Sequence, residues 1–279
     1  MGDVARGLAA IGAALRLRQG EIEAHPDVGA RLADVIAALL PDGLDGLDQE
    51  QISAALALVS FPLEEARDLF EKPDRPPAWI VSEPAMLQAQ GQASRVVVHR
   101  VIALAAERPG LAAALTGRFL DVGTGVGAIA LEAATQCPSL DVVGLDIWET
   151  ALALARANVA ASPHAVRIEI RTQNVTSIDE VAAYTLAWLP APFLSQAVAQ
   201  AALDRLSVAL APGGYLVVGL YLPPPDPIGA AFASLRLTRS GGHVWDSAMM
   251  MDELRSRGFI AVETCPGTPG VTFVMARVA

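Results

Sequence analysis

The chain has 279 residues, enough for one full α/β domain with a smaller appendage, and 53% of them are hydrophobic, at a mean hydropathy of +0.40. Its formal net charge is −10 and Lys72 is its only lysine, which argues against a nucleic-acid partner, since such partners draw on clustered basic side chains. Two uncharged stretches, 181–203 and 206–225, reach bilayer length, but Pro190 and Pro192 interrupt the first, and Pro212, Gly213, Gly214 and three closing prolines interrupt the second. Backbone groups freed there find no partner in hydrocarbon, so both stretches read as buried strands joined to helices and no membrane partner is expected.

In chain order, helices are expected over 4–17 and 28–40. Asp48 caps a third, with Gln51 at capping-box spacing, and Phe61-Pro62 separates it from a fourth at 63–70. Three prolines between 73 and 77 mark a linker, which places a boundary between a helical region at 1–77 and a second domain at 78–279. The latter opens with a helical pattern over 85–106, and Pro109-Gly110 and Thr116-Gly117 punctuate the connection that follows.

From Arg118 the rhythm alternates. Strands are expected at 119–122, 141–145, 166–170, 181–188 and 215–220, and helices at 126–135, 148–161 and 193–210. Such alternation implies a parallel sheet with helices on both faces. A helix at 247–257 and strands at 259–263 and 271–278 close the pattern, and the turn-rich Pro266-Gly267-Thr268-Pro269-Gly270 between those strands suggests an antiparallel pair. Cys137 and Cys265 lie far apart and form neither a disulfide framework nor a zinc motif, and the first residues lack a basic, apolar signal pattern, so a cytoplasmic location is expected.

Asp121-Val122-Gly123-Thr124-Gly125-Val126-Gly127 sits where a strand hands over to a helix, and glycines there let the backbone turn tightly and approach a ligand. Gly123, Gly125 and Ala128 also satisfy the dinucleotide pattern, so the glycines alone leave two nucleotide cofactors open. Asp121 separates them. A pyrophosphate about 5 Å from a partly desolvated carboxylate costs about 3 kcal/mol at an effective dielectric near 20. S-adenosylmethionine instead brings an ammonium and a sulfonium, which favour an anion. Asp146 ends the second strand, where a carboxylate accepts both ribose hydroxyls of either cofactor. Ile147 and Trp148 would then flank the adenine, and an amide of Gln173-Asn174-Val175 would meet its edge.

DVGTGVG (121–127), GLDIW (144–148), QNV (173–175) and ALAPGGYLVV (209–218) together resemble the class I S-adenosylmethionine-dependent methyltransferases of small-molecule type, from Phe119 to about Val278. The resemblance implies a Rossmann-like sheet, mostly parallel with the last strand antiparallel. It also implies that Asp121, Gly123 and Gly125 hold the methionine part, Asp146 the ribose, and Asn174 with Val175 the adenine. Three departures stand out. Thr185 occupies a place that is often Asp, Asn174 one that is often acidic, and Leu189-Pro190-Ala191-Pro192-Phe193 lacks the Asn or Asp that anchors amide and nucleobase nitrogens.

Methyl transfer from a sulfonium is an in-line displacement, so the protein mainly aligns donor and acceptor. A phenol needs a base, and His243 is the candidate: it lies in Ser240-Gly241-Gly242-His243-Val244-Trp245-Asp246, a loop expected beyond the carboxyl edge of the sheet. His99 lies within an apolar helix and reads as packing, and the Met249-Met250-Met251 run reads as core. Gln88 and Gln92 are candidates for the methionine carboxylate. No acidic cluster follows the fourth strand, so no metal is expected. The expectation is methyl transfer to a small, hydrophobic acceptor, preferably at oxygen, with the N-terminal helices capping the site or forming a homodimer. The alternatives are an NAD-dependent oxidoreductase and a non-catalytic S-adenosylmethionine-binding partner subunit.

Overall fold

The computed structural model describes residues 2–79, 81 and 83–279. They form two compact units, Met1–Arg75 and Pro76–Ala279.

The first unit is three helices, α1 (Gly2–Gln19), α2 (Pro26–Leu39) and α3 (Gln49–Glu71), around a small core of Leu15, Ile52 and Val59. Asp48 starts α3 through the expected capping box: its Oδ1 accepts from the Gln51 N–H at 2.8 Å and Gln51 Oε1 accepts from the Asp48 N–H at 3.0 Å. The break expected at Phe61-Pro62 does not occur, and α3 runs through Pro62. A proline there removes the N–H that the Leu58 carbonyl would otherwise accept from, but Leu58 is 78% exposed, so water can take that place. Ile52, Val59 and Leu63 pack into the same cluster from both sides of the proline, which holds the helix together.

The second unit opens with α4 (Pro84–Ser94), α5 (Val96–Ala105) and α6 (Pro109–Ala114). The single helix expected over 85–106 is divided at Arg95, and α6 occupies a connection in which only turn signals were legible. Then follow β1 (Arg118–Val122), α7 (Ala128–Gln136), β2 (Asp141–Asp146), α8 (Glu149–Ala160), β3 (Ile168–Thr172), β4 (Tyr184–Pro190), α9 (Gln196–Ala209), β5 (Leu210–Tyr221), α10 (Pro227–Arg239), α11 (Ser247–Ser256), β6 (Ile260–Pro266) and β7 (Val271–Arg277). The sheet order is β3-β2-β1-β4-β5-β7-β6. β1 to β5 are mutually parallel, and β7 runs antiparallel to both of its neighbours.

The alternating pattern sends successive side chains to opposite faces, and both faces are buried. Leu120 and Val122 enter one core cluster, and Phe119 enters the other. The strand order turns back between β1 and β4, and the crevice beyond the carboxyl ends there is where open α/β sheets receive ligands.

Two strands lie further along the chain than apolarity suggests. Val166 is 96% exposed in a 3-10 turn, so β3 starts at Ile168. Val181 is exposed too, and β4 starts at Tyr184 because the amides of Ala182 and Ala183 donate to the Val208 and Ala209 carbonyls before the ladder begins. β5 takes in Pro212-Gly213-Gly214 instead of following it, with a register shift against β4 between Tyr184 and Leu186. Among the described residues no helix is long and apolar enough to cross a membrane.

Candidate functional site

The glycine loop lies between β1 and α7 and turns through three left-handed glycines, Gly123 (φ 68°), Gly125 (φ 56°) and Gly127 (φ 78°). An L side chain would be strained at each. The Thr124 N–H donates to the Leu145 carbonyl at 2.9 Å and the Gly127 N–H to the Thr124 carbonyl at 2.8 Å, so the loop is tied to β2 and closed on itself. Gly127 precedes α7, whose first amides face the same edge.

Asp146 fixes the loop from the next strand. Its Oδ2 accepts from the Gly125 N–H at 2.9 Å, and its Oδ1 accepts from the amides of Ile147 at 2.7 Å and Trp148 at 3.0 Å. A carboxylate has about four acceptor positions, so three backbone bonds leave capacity for a ribose hydroxyl. Asp146 does not cap α8, whose N-cap is Trp148 with no side-chain cap hydrogen bond. Ile147 is exposed and Trp148 half-buried beside it.

Asp121 is fully buried. The Thr124 hydroxyl donates to its Oδ2 at 2.6 Å, while Oδ1 has no hydrogen-bond partner. Burial pushes its pKa up to about 7; the Thr124 bond and the Ala130 backbone N–H facing the carboxyl oppose this, and the Asp146 carboxylate adds to it. This alters the electrostatic argument from sequence. Near neutral pH the free carboxyl is only partly ionised, so its repulsion of a pyrophosphate is weaker than for a fixed charge. A cation beside it restores the ionised form, and Oδ1 is the atom such a cation would satisfy.

Asn174 follows β3 and caps the short 3-10 turn Val175–Ser177. Its Oδ1 accepts from the Thr176 N–H at 3.0 Å and the Thr176 hydroxyl at 2.9 Å. Its carbonyl is thereby used, and it offers a ligand its amide N–H₂, where an acidic residue would offer an acceptor. Val175 is buried behind it.

Gln88 and Gln92 are engaged elsewhere. Gln88 exchanges two 3.1 Å hydrogen bonds with Asn158, whose Nδ2 also donates to the Val126 carbonyl, and Gln92 accepts from Arg95 at 2.9 Å. Gln88 therefore braces the glycine loop through Asn158. Thr185 lies at the amino end of β4, where its hydroxyl accepts from the Arg118 N–H and donates to the Ala114 carbonyl. Its departure from Asp leaves the carboxyl edge untouched.

His243 comes to the edge beside β4. Its N–H donates to the Pro192 carbonyl at 3.3 Å, and the Gly242 N–H donates to the Leu237 carbonyl at 2.9 Å. A Cβ on Gly242 would stand 1.9 Å from the Pro192 oxygen, so only glycine permits this approach. His243 packs edge-on against Trp245, with ring centroids 4.9 Å apart, and its Nε2 is buried without a partner. Of the methionine run expected in the core, Met250 is fully buried and Met251 packs against it partly buried, whereas Met249 is exposed. His99 does not pack as expected: it is exposed, and its imidazole pairs at 2.8 Å with Glu132, which is buried on α7. Among the described residues no group of three or more His, Cys, Asp or Glu is placed to hold a metal ion.

Sequence reasoning overlooked an aromatic row. Trp79 contacts both Trp148, at 6.3 Å between centroids, and Phe193, at 5.8 Å, edge-on in each case. The row joins the end of β2 to the loop after β4. A tryptophan just beyond a proline-rich linker, in a chain with only 5% aromatics, was the available signal.

These groups fit a cationic nucleoside. A buried carboxylate oxygen lacks a partner, a carboxylate on the next strand holds the loop with acceptor capacity to spare, helix amides face the same edge, and the half-buried Trp148 stands two residues after that second carboxylate.

A family profile described as a methyltransferase domain matches residues 119–214, which takes in Asp121, Asp146 and Asn174 and stops short of His243. The chain is 55% identical over 53 residues to the ubiquinone/menaquinone biosynthesis C-methyltransferase UbiE of Geobacter sulfurreducens, a match covering 19% of this chain and 21% of that protein. It thus spans about a fifth of that relative's length. Solved structures match along nearly the whole chain. An O-methyltransferase family protein from Burkholderia thailandensis aligns at a TM-score of 0.72 and 15% identity, covering 100% of this chain and 96% of that one. PigF, solved with SAH, aligns at 0.71 and 18%, covering 98% and 95%. At these identities the likeness is one of fold.

Proposed function

We propose, from the premise that this chain carries a class I methyltransferase domain over residues 119–214, that it transfers a methyl group from S-adenosylmethionine to an oxygen of a small, hydrophobic acceptor. The observation that carries the donor is the buried, unpartnered Oδ1 of Asp121 at the foot of the glycine loop. The donor's ammonium would donate to that oxygen and its sulfonium would favour the anion, whereas the pyrophosphate that a dinucleotide places over such a loop brings negative charge to it.

The chain's own residues take these parts. Asp121 favours the cationic end, and the first amides of α7 receive the methionine carboxylate. Asp146 accepts from the ribose, Ile147 and Trp148 flank the base, and Asn174 with Val175 meets its edge. When bound, S-adenosylmethionine supplies an electrophilic methyl group; the C–S bond electrons return to sulfur as the acceptor oxygen forms its bond to carbon. His243 takes the acceptor's hydroxyl proton on Nε2 and passes it to water afterwards, closing the proton balance. The stiff Pro190–Phe193 loop and the Trp79 ring form an apolar wall there, which suits a hydrophobic acceptor. That loop carries no Asn or Asp, which favours oxygen over amide or nucleobase nitrogen.

Calorimetric titration with S-adenosylmethionine and with NAD tests the donor; tight NAD binding with none for S-adenosylmethionine would sink the proposal. A turnover screen of phenols, carboxylates and amines tests the acceptor. His243→Gln should lower kcat on a phenol by about a hundredfold to ten-thousandfold with donor Kd unchanged. Near-normal turnover would remove His243 from the mechanism, and failure of the whole panel would favour a non-catalytic role.

A further inference from the structure

Beside His243, a second buried nitrogen lacks a partner. Trp245 is 3% exposed and belongs to the same buried cluster as Leu189 and Ala191, yet its indole Nε1 makes no hydrogen bond. An indole N–H only donates, and burying it unpaired destabilises the free protein. Phenylalanine would fill an apolar core here without that penalty. Two residues earlier, His243 Nε2 is buried and equally unpartnered, and the two rings touch edge to face at 76°. Nothing frees these rings to turn outward. Gly242 pins the segment to the Pro192 carbonyl on one side of the pair, and on the other Asp246 caps α11, its Oδ1 accepting from the Met249 N–H at 2.8 Å.

Most other buried side-chain atoms without partners are isolated from one another: Gln19 Oε1, Glu180 Oε2 and Arg277 Nε lie on different elements. His243 and Trp245 are different in being in contact, and in presenting complementary chemistry. The indole is a fixed donor. An imidazole nitrogen that is to receive a hydroxyl proton must be an acceptor. A ligand matching both carries a hydroxyl and a carbonyl or carboxylate group as substituents a few bonds apart, as on adjacent ring carbons, since the two ring centroids lie 4.9 Å apart.

We propose that Trp245 recognises the acceptor, its indole N–H donating to a carbonyl oxygen next to the hydroxyl that His243 Nε2 deprotonates, so that the substrate class is hydroxy-carbonyl aromatics rather than simple phenols. This rests on the methyltransferase reading and deepens it at one residue. The pairing also orients the acceptor. A carbonyl held by Trp245 fixes which of its hydroxyls faces His243, so a molecule with several hydroxyls is modified at the one adjacent to the carbonyl.

The probe is 2-hydroxyacetophenone, with phenol and acetophenone as its two halves. S-adenosylhomocysteine binding is measured first, by calorimetry, on native protein and on Trp245→Phe. If it binds neither, the methyltransferase reading is at fault; if it binds both, the acceptor result bears on Trp245 alone. With S-adenosylhomocysteine present, native protein should bind 2-hydroxyacetophenone at least about tenfold more tightly than phenol or acetophenone, the scale of one hydrogen bond in a buried site. Trp245→Phe should lose that margin while keeping its affinity for phenol, and its Tm in the free state should equal or exceed the native value. Should Trp245→Phe misfold, the indole N–H resonance of Trp245 in native protein gives the same answer. It is assigned by elimination from Trp79→Phe, Trp148→Phe and Trp188→Phe, and should move downfield with 2-hydroxyacetophenone and stay in place with phenol. Equal affinity for the three probes, no binding of 2-hydroxyacetophenone, or an indole resonance that ignores it would overturn the proposal.

Discussion

The proposed donor half and the proposed acceptor half of the carboxyl edge are built in different ways. The donor half comes from adjacent strands and the short loops that leave them. Asp121 and the glycines follow β1, Asp146 follows β2, and Asp146 bonds directly to Gly125. The acceptor half gathers segments distant in sequence. Trp79 reaches Phe193, Pro192 receives the His243 amide, and the Ala78 N–H donates to the Arg239 carbonyl at 2.9 Å. A site made of local turns has its geometry written in spacing, while one made of remote contacts has it written in packing.

If that division holds, each half can be damaged alone. After His243 itself, the largest effect is expected at Gly242. A methyl group there would meet the Pro192 carbonyl oxygen at 1.9 Å, and a backbone oxygen cannot rotate away as a side chain can. The 240–245 loop must lift, carrying His243 and Trp245 with it. A displacement near 1 Å at a reacting group costs about a hundredfold in rate. Gly242→Ala should therefore lower kcat on the phenolic acceptor by about that factor and leave the donor Kd, measured by calorimetry, unchanged. Loss of donor affinity in this variant would show the two halves to be one mechanical unit.

The same division explains what the sequence made legible. The glycine loop, Asp146 and the Asp48 cap could be placed from residue type and spacing, because each is a local backbone requirement. The parallel sheet followed from the strand–helix alternation. The start of β4 could not be placed, since Val181 is as apolar as the residues of the strand and only the bonds from Ala182 and Ala183 to the end of α9 decide against it. Pro62 within α3 was likewise invisible, because packing on both of its sides overrides a local penalty. Asp121 was found, but its state was not. That it is wholly buried, with a pKa near 7, depends on everything around it. The aromatic row and the contact of His243 with Pro192 lie outside any spacing rule.

The next effect in size is on the donor half. In the free protein Asp121 has a pKa near 7 against an ordinary 3.8. A carboxyl whose folded pKa is raised contributes stability that is fully present below the ordinary value and is lost as pH rises through the folded one. The free protein should thus lose thermal stability between pH 4 and 7 through this residue. A bound cation prefers the ionised form, so donor affinity should rise over the upper part of the same window, with proton release. Asp121→Asn should flatten both profiles and, at pH 8, weaken S-adenosylmethionine by about 2 kcal/mol, roughly thirtyfold in Kd. Calorimetry in buffers of differing ionisation enthalpy reads the released proton directly. A pH-independent donor Kd in native protein would mean that Asp121 only ties the turn through Thr124.

The smallest effect sharpens the comparison most, because it reaches the donor half from outside it. Helix α4 lies against the glycine loop at Gly91, where a Cβ would stand 2.3 Å from Val126 Cγ2 and 3.2 Å from the Ala128 Cβ. Val126 is buried and β-branched, so its methyl groups have little room to turn aside. Gly91→Ala should cost about 1–2 kcal/mol by overpacking, part of it as a Kd for S-adenosylmethionine raised several-fold. Adding Val126→Ala removes the obstructing methyl groups, and a double-mutant cycle should recover most of the lost affinity. The acceptor KM should not change in either variant. A change in KM with donor Kd intact would place α4 on the acceptor side, and the boundary between the two halves would then have to be drawn through the glycine loop itself.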